Sequence, residues 1–239
     1  MSVVLVTGAS GGIGGAVASA FAGKGHCVAL GYCKGGRAAI SLCEELKENG
    51  CNAMALKADL RDERQVDGMF QSIEALLGNV EILINCAGLS HFGLLTDMPL
   101  LQWEEIIGVN LTSVFLSCRR ALPSMLLRHS GCIINISSIW GETGASCEAA
   151  YSAAKAGVIG LTKALAREEG PAGIRINCIT PGLIETGMNA RLSKAECEAF
   201  TQETALCRAG TAEEVAHAAL FLAENTYVTG EVLRVDGGY

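Results

Sequence analysis

A tyrosine and a lysine stand four positions apart in the segment YSAAK, as Tyr151 and Lys155. At that spacing both side chains lie on one face of a helix, one turn apart. A nearby ammonium favours the phenolate, so it lowers the pKa of a tyrosine and lets that tyrosine deliver a proton near neutral pH. Ser138 follows an apolar run and is placed to hydrogen-bond the oxygen that receives the proton. The three side chains therefore indicate acid catalysis at a substrate oxygen.

A glycine-rich loop, TGASGGIG, joins the first apolar run of the chain to a helix-like segment. Its glycines let the backbone turn sharply and approach a pyrophosphate, and the helix N-terminus supplies free N–H groups. The glycine spacing differs from the common dinucleotide fingerprint GxGxxG, and a plain tight turn is the alternative. The predicted nucleotide contacts in this loop are Gly8, Ser10, Gly11, Gly12, Ile13 and Gly14.

The end of the second apolar run distinguishes between the two nicotinamide cofactors. An acid there would accept hydrogen bonds from a free ribose 2′-hydroxyl. Tyr32 occupies that region instead, and Lys34 and Arg37 follow it in GYCKGGR. Both cations can pair with a 2′-phosphate, and the alternative is that they are solvated surface charges. The pattern predicts NADP(H) rather than NAD(H).

The third and fourth apolar runs also end in residues that suit a nucleotide. Asp59 can accept a hydrogen bond from the adenine amino group, or it can cap the helix that begins near Asp62. The segment NCAG after the fourth run is small enough for the backbone to pass close to the adenosine ribose. The predicted contacts at these two ends are Asp59, Leu60, Asn85, Ala87 and Gly88.

These residues need a scaffold, and short apolar runs alternate with helix-like segments along the whole chain. The predicted strands are 3–6, 27–31, 53–57, 82–85, 132–136, 175–179 and 232–235. The predicted helices are 12–23, 37–48, 63–77, 101–127, 151–169 and 213–222. Continuously apolar strands in strand–helix–strand order are typical of a parallel sheet that is covered on both faces. We predict one α/β Rossmann domain over residues 1–239, with a doubly wound, seven-stranded parallel sheet and ligands beyond the carboxyl ends of its strands.

Composition excludes several classes of protein. With 50% hydrophobic and 18% charged residues in 239, the chain is neither disordered nor fibrous. Its net charge of -7 argues against nucleic acid or an anionic membrane as a partner. The first residues, MSVVLVTGAS, lack the basic leader and apolar stretch typical of a signal peptide, and no apolar run approaches the roughly 18 residues that span a membrane, so we expect a cytoplasmic location. The 11 cysteines include no CxxC pair, which predicts free thiols and no metal site.

The motifs together resemble those of the short-chain dehydrogenase/reductase family. They are TGASGGIG, NCAG, Asn110, Ser138, YSAAK and Pro181-Gly182, and the similarity continues to the last motif of the chain, VDGG. Within the family, segments 151–169 and 180–186 are most similar to bacterial 3-oxoacyl-[acyl-carrier-protein] reductases. The resemblance implies NADPH-dependent reduction of a ketone to a secondary alcohol, with a 3-oxoacyl thioester as the substrate.

The resemblance also implies a role for each matching residue. Tyr151 would be the general acid, Lys155 would hold the nicotinamide ribose and tune Tyr151, and Ser138 would position the carbonyl. Asn110 would kink its helix and anchor a water that relays protons through Lys155. Ile184 and Thr186 would contact the nicotinamide carboxamide. The implied cofactor contacts near the nicotinamide are Tyr151, Lys155, Pro181, Gly182, Ile184 and Thr186.

Two departures from the family pattern bear on the cofactor. Cys86 stands where a second asparagine is usual. Gly11 and Gly15 occupy loop positions where NADPH enzymes of this group often have arginine. Recognition of a 2′-phosphate therefore depends on Lys34 and Arg37.

Residues 183–210, which we call the lid segment, are predicted to cover the substrate because they mix apolar residues with acids. An acyl-carrier protein is acidic and needs a basic docking patch, for which Arg120 and Arg128 are the candidates. His129 and Ala172 stand where carrier-linked reductases often have arginine. The predicted substrate is therefore a ketone that is either carrier-linked or a free small molecule.

An alternative substrate follows from the segment after Ser138. Trp140 and Glu148 flank the pocket in sequence, and an acid there suits a cationic ketone, whereas core packing and solvent exposure are the plainer explanations. Chains with such an Ile-Trp-Gly loop resemble reductases of the 5-aminopentanone group on elongation factor P. A non-catalytic nucleotide-binding protein on this fold is a further alternative, against which the intact set of Ser138, Tyr151 and Lys155 argues.

Two helical segments, 101–127 and 151–169, are too apolar for one chain to cover on every side. The second segment has small residues around its whole circumference, among them Ala153, Ala156 and Gly160. A partner subunit is the natural cover, so we expect a homotetramer, or at least a dimer. The resemblance adds a second interface through 213–222 and 232–235.

Overall fold

Seven parallel strands form one sheet in the computed structural model, which describes residues 1–190 and 192–239. The strands are β1 Val3–Thr7, β2 Cys27–Tyr32, β3 Ala53–Lys57, β4 Ile82–Asn85, β5 Gly131–Ile136, β6 Ile174–Pro181 and β7 Val232–Val235. Their order across the sheet is β3-β2-β1-β4-β5-β6-β7. The strand order therefore reverses between β1 and β4, and the predicted doubly wound α/β fold in a single domain is confirmed.

Helices connect the strands and cover both faces of the sheet. They are α1 Gly12–Gly23, α2 Gly36–Glu48, α3 Glu63–Leu76, α4 Leu100–Ile107, α5 Ser113–Arg128, α6 Trp140–Thr143, α7 Ala149–Glu169, α8 Lys194–Gln202 and α9 Ala212–Glu224. One core cluster joins α1, α2 and α9 to the sheet, and the other joins α3, α5 and α7 to it. Short 3₁₀ turns occupy Leu95–Asp97, Gly170–Ala172 and Gly187–Asn189.

The continuously apolar runs are strands whose side chains are buried on both faces. All five residues of β1 are buried, with Leu5 in one core cluster and Val4 and Val6 in the other. An alternating pattern would have left one face to solvent, so the sequence pattern and the two-sided core agree. The polar residues that follow each strand consequently meet along one edge of the sheet.

The predicted helix 101–127 is not continuous. The chain forms α4, then a π-helical turn over Gly108–Thr112, then α5. Asn110 lies in that turn and donates a side-chain hydrogen bond to the Ile106 carbonyl at 2.9 Å. A π turn inside a helix often marks a functional position, and sequence periodicity alone does not reveal it.

In the part of the chain that the structure describes, no helix combines the length and apolar character needed to cross a membrane. Nor does any cluster of three or more His, Cys, Asp or Glu there have the arrangement of a metal site. All 11 cysteines are free thiols. Cys118 and Cys178 are fully buried, and this burial raises their pKa to about 12, so these thiols stay neutral and act as small apolar groups.

Candidate active site

The loop between β1 and α1 needs glycine at three positions. Gly8 has a φ of +68°, and a Cβ there would lie 2.7 Å from the Ala87 backbone. A Cβ on Gly14 would collide with the Gly8 carbonyl, and one on Gly12 would lie 2.7 Å from Thr186 Cγ2. The loop is therefore a bare backbone cradle at the N-terminus of α1, which fits a pyrophosphate group.

Thr7, the last residue of β1, fixes this cradle to the end of β4. Its Oγ1 accepts hydrogen bonds from the Cys86 and Ala87 amides at 3.1 and 3.3 Å and donates to the Ile84 carbonyl at 3.4 Å. The side chain therefore sits where the strand order reverses, between the first and fourth strands. No separate role was predicted for Thr7 from the sequence, although a hydroxyl side chain at the end of a strand could have indicated one.

The adenosine end of the cleft contains one residue that the sequence analysis missed. Arg61 Nε donates to Asp59 Oδ1 at 3.0 Å, and this contact holds the pKa of the Asp59 carboxyl below its usual range. Asp62, rather than Asp59, caps α3 by accepting from the Arg64 amide at 2.9 Å. Asp59 therefore faces the cleft as an ionised carboxylate that Arg61 already holds.

Lys34 lines the same end of the cleft, whereas Arg37 is exposed at the start of α2, outside the lining. No acid stands at the end of β2, where Tyr32 is the last strand residue. Ser10 Oγ donates to the Lys34 carbonyl at 2.9 Å, which joins the glycine-rich loop to the segment after β2. The chain therefore brings Lys34 beside the glycine cradle.

Tyr151 and Lys155 lie one turn apart on α7, as their spacing predicted. Lys155 Nζ lies 5.7 Å from the centroid of the Tyr151 ring and donates to the Ile136 carbonyl at 2.8 Å. Only 3% of Lys155 is exposed, and this burial lowers its pKa to about 8. The site thus holds a desolvated amine directly beside the phenol ring.

The segment after β5 packs against the same turn of α7. Ser137 Oγ donates to the Lys155 carbonyl at 2.8 Å, and a Cβ on Gly141 would lie 2.7 Å from the Lys155 carbonyl carbon. Ser138 Oγ accepts from the Trp140 amide at 3.2 Å, and Ser138 lines the cleft. Gly141 is a further residue that sequence reasoning missed, and it lets the chain approach α7 closely enough to bring Ser138 into the site.

Asn110 connects the π turn to the catalytic end of the cleft. Its Oδ1 accepts from the Leu89 amide at 3.1 Å, and its Nδ2 donates to the Leu89 carbonyl at 2.8 Å. A Cβ on Gly88 would lie 3.1 Å from Asn110 Oδ1 and 3.5 Å from Lys155 Nζ. The fully buried amide therefore lies directly behind Gly88, on the side of Lys155.

Asn85 belongs to a buried chain of polar groups behind the sheet edge. Its Nδ2 donates to Asn135 Oδ1, and Asn135 Nδ2 donates to Thr162 Oγ1, each at 2.9 Å. These bonds join β4 to β5 and β5 to α7. The Asn85 side chain therefore ties the scaffold together and does not line the cleft.

One cleft of about 820 Å³ runs across the carboxyl ends of the strands. The predicted site residues that line it are Gly8, Ser10, Gly11, Gly12, Ile13, Gly14, Tyr32, Lys34, Asp59, Leu60, Ala87, Gly88, Ser138, Tyr151, Lys155, Pro181, Gly182, Ile184 and Thr186. Arg37, Asn85 and Asn110 lie outside the lining. We call the end that holds the glycine loop and Asp59 the cofactor half.

The other end we call the substrate half. Its lining consists of Leu89, Ser90, Phe92, Ser138, Ile139, Trp140, Ala145, Ser146, Glu148 and, from the described part of the lid segment, Met188, Asn189, Leu192, Glu196 and Phe200. The lid segment is closed at its base, where Ile184 pairs with Gly210 and the Glu185 amide donates to the Gly210 carbonyl at 2.9 Å. Trp140 and Phe200 supply aromatic walls to this half. Glu148 lies in the same lining and is 9% exposed.

The chain matches a family model described as "Enoyl-(Acyl carrier protein) reductase" over residues 8–239. It is 40% identical to the 3-oxoacyl-[acyl-carrier-protein] reductase FabG of Aquifex aeolicus, covering 99% of this chain and 96% of that protein. It is 38% identical to the FabG of Staphylococcus aureus strain N315, covering 98% of this chain and 96% of that one. It is also 38% identical to the "Uncharacterized oxidoreductase YmfI" of Bacillus subtilis, covering 98% of this chain and 97% of that protein.

Proposed function

The chain belongs to the short-chain dehydrogenase/reductase family of oxidoreductases, and from that premise we propose that it reduces a ketone to a secondary alcohol with NADPH. The observation that carries the proposal is the meeting of Ser138, Tyr151 and Lys155 in one cleft with the glycine cradle. We assign Gly8, Gly12 and the rest of that loop to the pyrophosphate. The nicotinamide, when bound, supplies a hydride to the carbonyl carbon.

Tyr151 donates its hydroxyl proton to the carbonyl oxygen as negative charge develops there. The Ser138 hydroxyl donates a hydrogen bond to the same oxygen and orients the carbonyl. The Lys155 ammonium, beside the phenol ring, stabilises the phenolate that remains and binds the ribose next to it. Asn110 is a positioning residue in this proposal, because it holds the backbone at Leu89 beside Lys155 and is assigned the water that returns a proton to the amine.

We assign the 2′-phosphate of NADPH to Lys34 and Arg37. The support is that β2 ends at Tyr32 with no carboxylate to hold a 2′-hydroxyl, and that Lys34 lines the cofactor half. Arg61 adds a second cation to this half, but Asp59 already accepts from it. The charge available to a phosphate therefore comes first from Lys34.

A 3-oxoacyl thioester is the first substrate that we propose, because the relatives named FabG carry that reaction in their names. The two cations suggested for docking an acyl-carrier protein have internal partners. Arg120 donates to Asp67 and Glu74, and Arg128 donates to the Val80 carbonyl at 2.9 Å. A free or coenzyme-linked thioester therefore fits this chain better than a carrier protein docked on these two arginines.

A cationic ketone, such as the 5-aminopentanone group on elongation factor P, is the second candidate. Glu148 is a buried acid in the substrate half, and Trp140 supplies an aromatic face there. A carboxylate together with an aromatic ring is a favourable site for an ammonium group.

One assay separates these functions. NADPH consumption is measured with acetoacetyl-coenzyme A, with 5-(dimethylamino)pentan-2-one, whose tertiary amine is protonated and cannot condense with the ketone, and with pentan-2-one, which lacks only the dimethylamino group. Faster turnover of the thioester supports the first substrate, and a preference for the amino ketone over pentan-2-one supports the second. If NADPH binds but none of the three ketones consumes it, the chain is a nucleotide-binding protein and the proposal of a reductase is wrong.

We propose that the chain assembles as a homotetramer, or at least as a dimer, through the outer sides of α4, α5 and α7. Leu101 is 79% exposed and Leu127 is 86% exposed. On α7 the small residues Ala153, Ala156 and Gly160 form an exposed face. A light-scattering mass near four times 24.9 kDa supports the tetramer, and the mass of one chain contradicts it.

A further inference from the structure

Three aromatic rings from distant parts of the chain meet beside the substrate half of the cleft. Tyr239 stacks on Phe200, with ring centroids 4.8 Å apart and an interplanar angle of 4°. Trp140 meets both rings edge-on, at 5.7 Å from Phe200 and 5.6 Å from Tyr239. We call these three residues the aromatic clamp. Each such contact contributes free energy beyond simple burial of area.

The clamp joins α6, which carries Trp140, to α8, which carries Phe200. Trp140 and Phe200 line the cleft, whereas Tyr239 lies behind them, outside the lining. None of the residues of α8 is buried, so this helix packs only weakly against the core of the domain. The stacking of Tyr239 on Phe200 is therefore a principal contact that keeps α8 against the cleft.

The backbone conformation of residues 236–239 places the Tyr239 ring at this position. Gly237 and Gly238 have φ angles of +72° and +83°, a conformation that glycine adopts at little cost. The Leu206 amide donates to the Gly237 carbonyl at 3.0 Å, and the Ala205 amide donates to the Gly238 carbonyl at 3.3 Å. These bonds fasten the end of the lid segment to the chain that carries Tyr239.

The hydroxyl of Tyr239 faces a second residue of the lid segment, Glu203. Partial burial and the charge of this nearby acid raise the pKa of Tyr239. The ring and the hydroxyl thus act on two different residues of the lid segment, Phe200 and Glu203. The two contacts can be separated by substitution, because phenylalanine keeps the ring and removes only the hydroxyl.

We propose that Tyr239 is a positioning residue that holds α8 against α6 and thereby forms the wall of the substrate half. This inference rests on the proposed ketone reduction for its kinetic consequence, but the clamp itself can be measured without turnover. Because the rings that Tyr239 contacts are those of Trp140 and Phe200, its loss should change substrate affinity and leave the chemical step alone. The expected signature is a raised KM for the ketone with an unchanged kcat and an unchanged KM for NADPH.

The first readout is proteolysis of the lid segment. The Lys194 side chain on α8 is 91% exposed, so trypsin cleaves after it when the helix opens locally. Tyr239→Ala should raise the rate of this cleavage about tenfold, because two ring contacts are lost. Tyr239→Phe should stay within about twofold of the unmodified protein, since it keeps both ring contacts. The matched control is Tyr227→Ala, which removes a fully exposed tyrosine.

Equal cleavage rates for Tyr239→Ala and Tyr227→Ala overturn the proposal, and so does a Tyr239→Phe protein that opens as readily as Tyr239→Ala. Tyr239→Leu, which keeps apolar volume, answers the same question if the alanine variant does not fold. If no ketone is turned over, the proposed function is wrong, but the cleavage rates still show whether Tyr239 holds α8 in place. Where turnover is measured, Tyr239→Ala should raise KM for the ketone and leave kcat and KM for NADPH unchanged.

Discussion

The two halves of the cleft are built in different ways. In the cofactor half, each contact comes directly after a strand: the glycine loop after β1, Lys34 after β2 and Asp59 after β3. In the substrate half, the walls come from connections between elements, namely residues 138–148 and the lid segment. The sheet therefore sets the position of the cofactor, whereas the connections determine which ketone fits. Substitutions in the two halves should consequently change different kinetic constants.

The largest expected effect is at Tyr151, which lies where the two halves meet. Tyr151→Phe should lower kcat by roughly 10²–10⁴-fold, because the general acid is lost while the ring remains. NADPH affinity, measured by fluorescence titration, should change little. Tyr227→Phe removes the hydroxyl of a fully exposed tyrosine and serves as the control. A Tyr151→Phe protein that keeps more than about a tenth of the original kcat would show that another group donates the proton.

The double variant Lys34→Ala, Arg37→Ala should weaken binding of the cofactor and leave binding of the ketone unchanged. Charge-assisted hydrogen bonds to the 2′-phosphate are lost, so KM for NADPH should rise roughly 30- to 100-fold. KM for NADH should change by less than about threefold, because NADH carries no such phosphate. Steady-state kinetics with both cofactors measures the difference, and Lys47→Ala, at the exposed far end of α2, is the control. Equal effects on both cofactors would argue for NAD(H).

Burial of Lys155 at the junction of the halves predicts a pH-dependent stability. Its pKa is about 8 in the folded chain against 10.5 normally, so the unfolded state binds more protons between these values. Stability relative to Lys155→Met should therefore rise by about 2 kcal/mol between pH 7 and pH 9.5. Urea unfolding at the two pH values tests this, with Lys47→Met, exposed near the end of α2, as the control. If the free energy of unfolding depended on pH in the same way in both variants, a group other than Lys155 would be responsible for the pH dependence.

The smallest of these effects concerns the substrate half. Glu148→Gln should raise KM for 5-(dimethylamino)pentan-2-one about five- to tenfold, because a buried carboxylate no longer faces the ammonium group. KM for pentan-2-one should stay within about twofold, since that ketone is neutral. Initial rates with both ketones give the ratio, and Glu168→Gln, exposed near the end of α7, is the control. A parallel rise for both ketones would mean that Glu148 shapes the pocket rather than binding charge.

The sequence was sufficient to predict which segments line most of the cofactor half. Apolar runs identify buried strands, and in a parallel sheet the residues after them meet at one edge, which is why Gly8, Lys34 and Asp59 line one cleft. The i, i+4 spacing likewise gave the neighbouring positions of Tyr151 and Lys155. Such inferences work because they depend only on local chain order and on the direction of the strands.

Several side-chain contacts could not be predicted from the sequence. Asn85 turns into the scaffold because Asn135 lies opposite it on β5, a pairing that requires the register of two strands. The contact of Arg61 with Asp59 spans only two positions, but it depends on the conformation of the turn after β3, which the sequence pattern does not show. The clamp joins Trp140 to Tyr239, which are far apart in the chain, and no periodic pattern links them. The substrate half was therefore predicted as a segment, without its contacts.

The most direct test of the central claim follows one hydrogen atom. The protein is incubated with each of the two NADPH isotopomers deuterated stereospecifically at C4 of the nicotinamide, together with the ketone that it reduces fastest, and the alcohol is analysed by mass spectrometry. The reductase account predicts that one isotopomer transfers its deuterium to the carbinol carbon, one atom for each NADPH consumed, while the hydroxyl proton comes from Tyr151 and exchanges with water. An alcohol that carries no deuterium from either isotopomer, or NADPH consumption without alcohol, would contradict direct hydride transfer in this cleft.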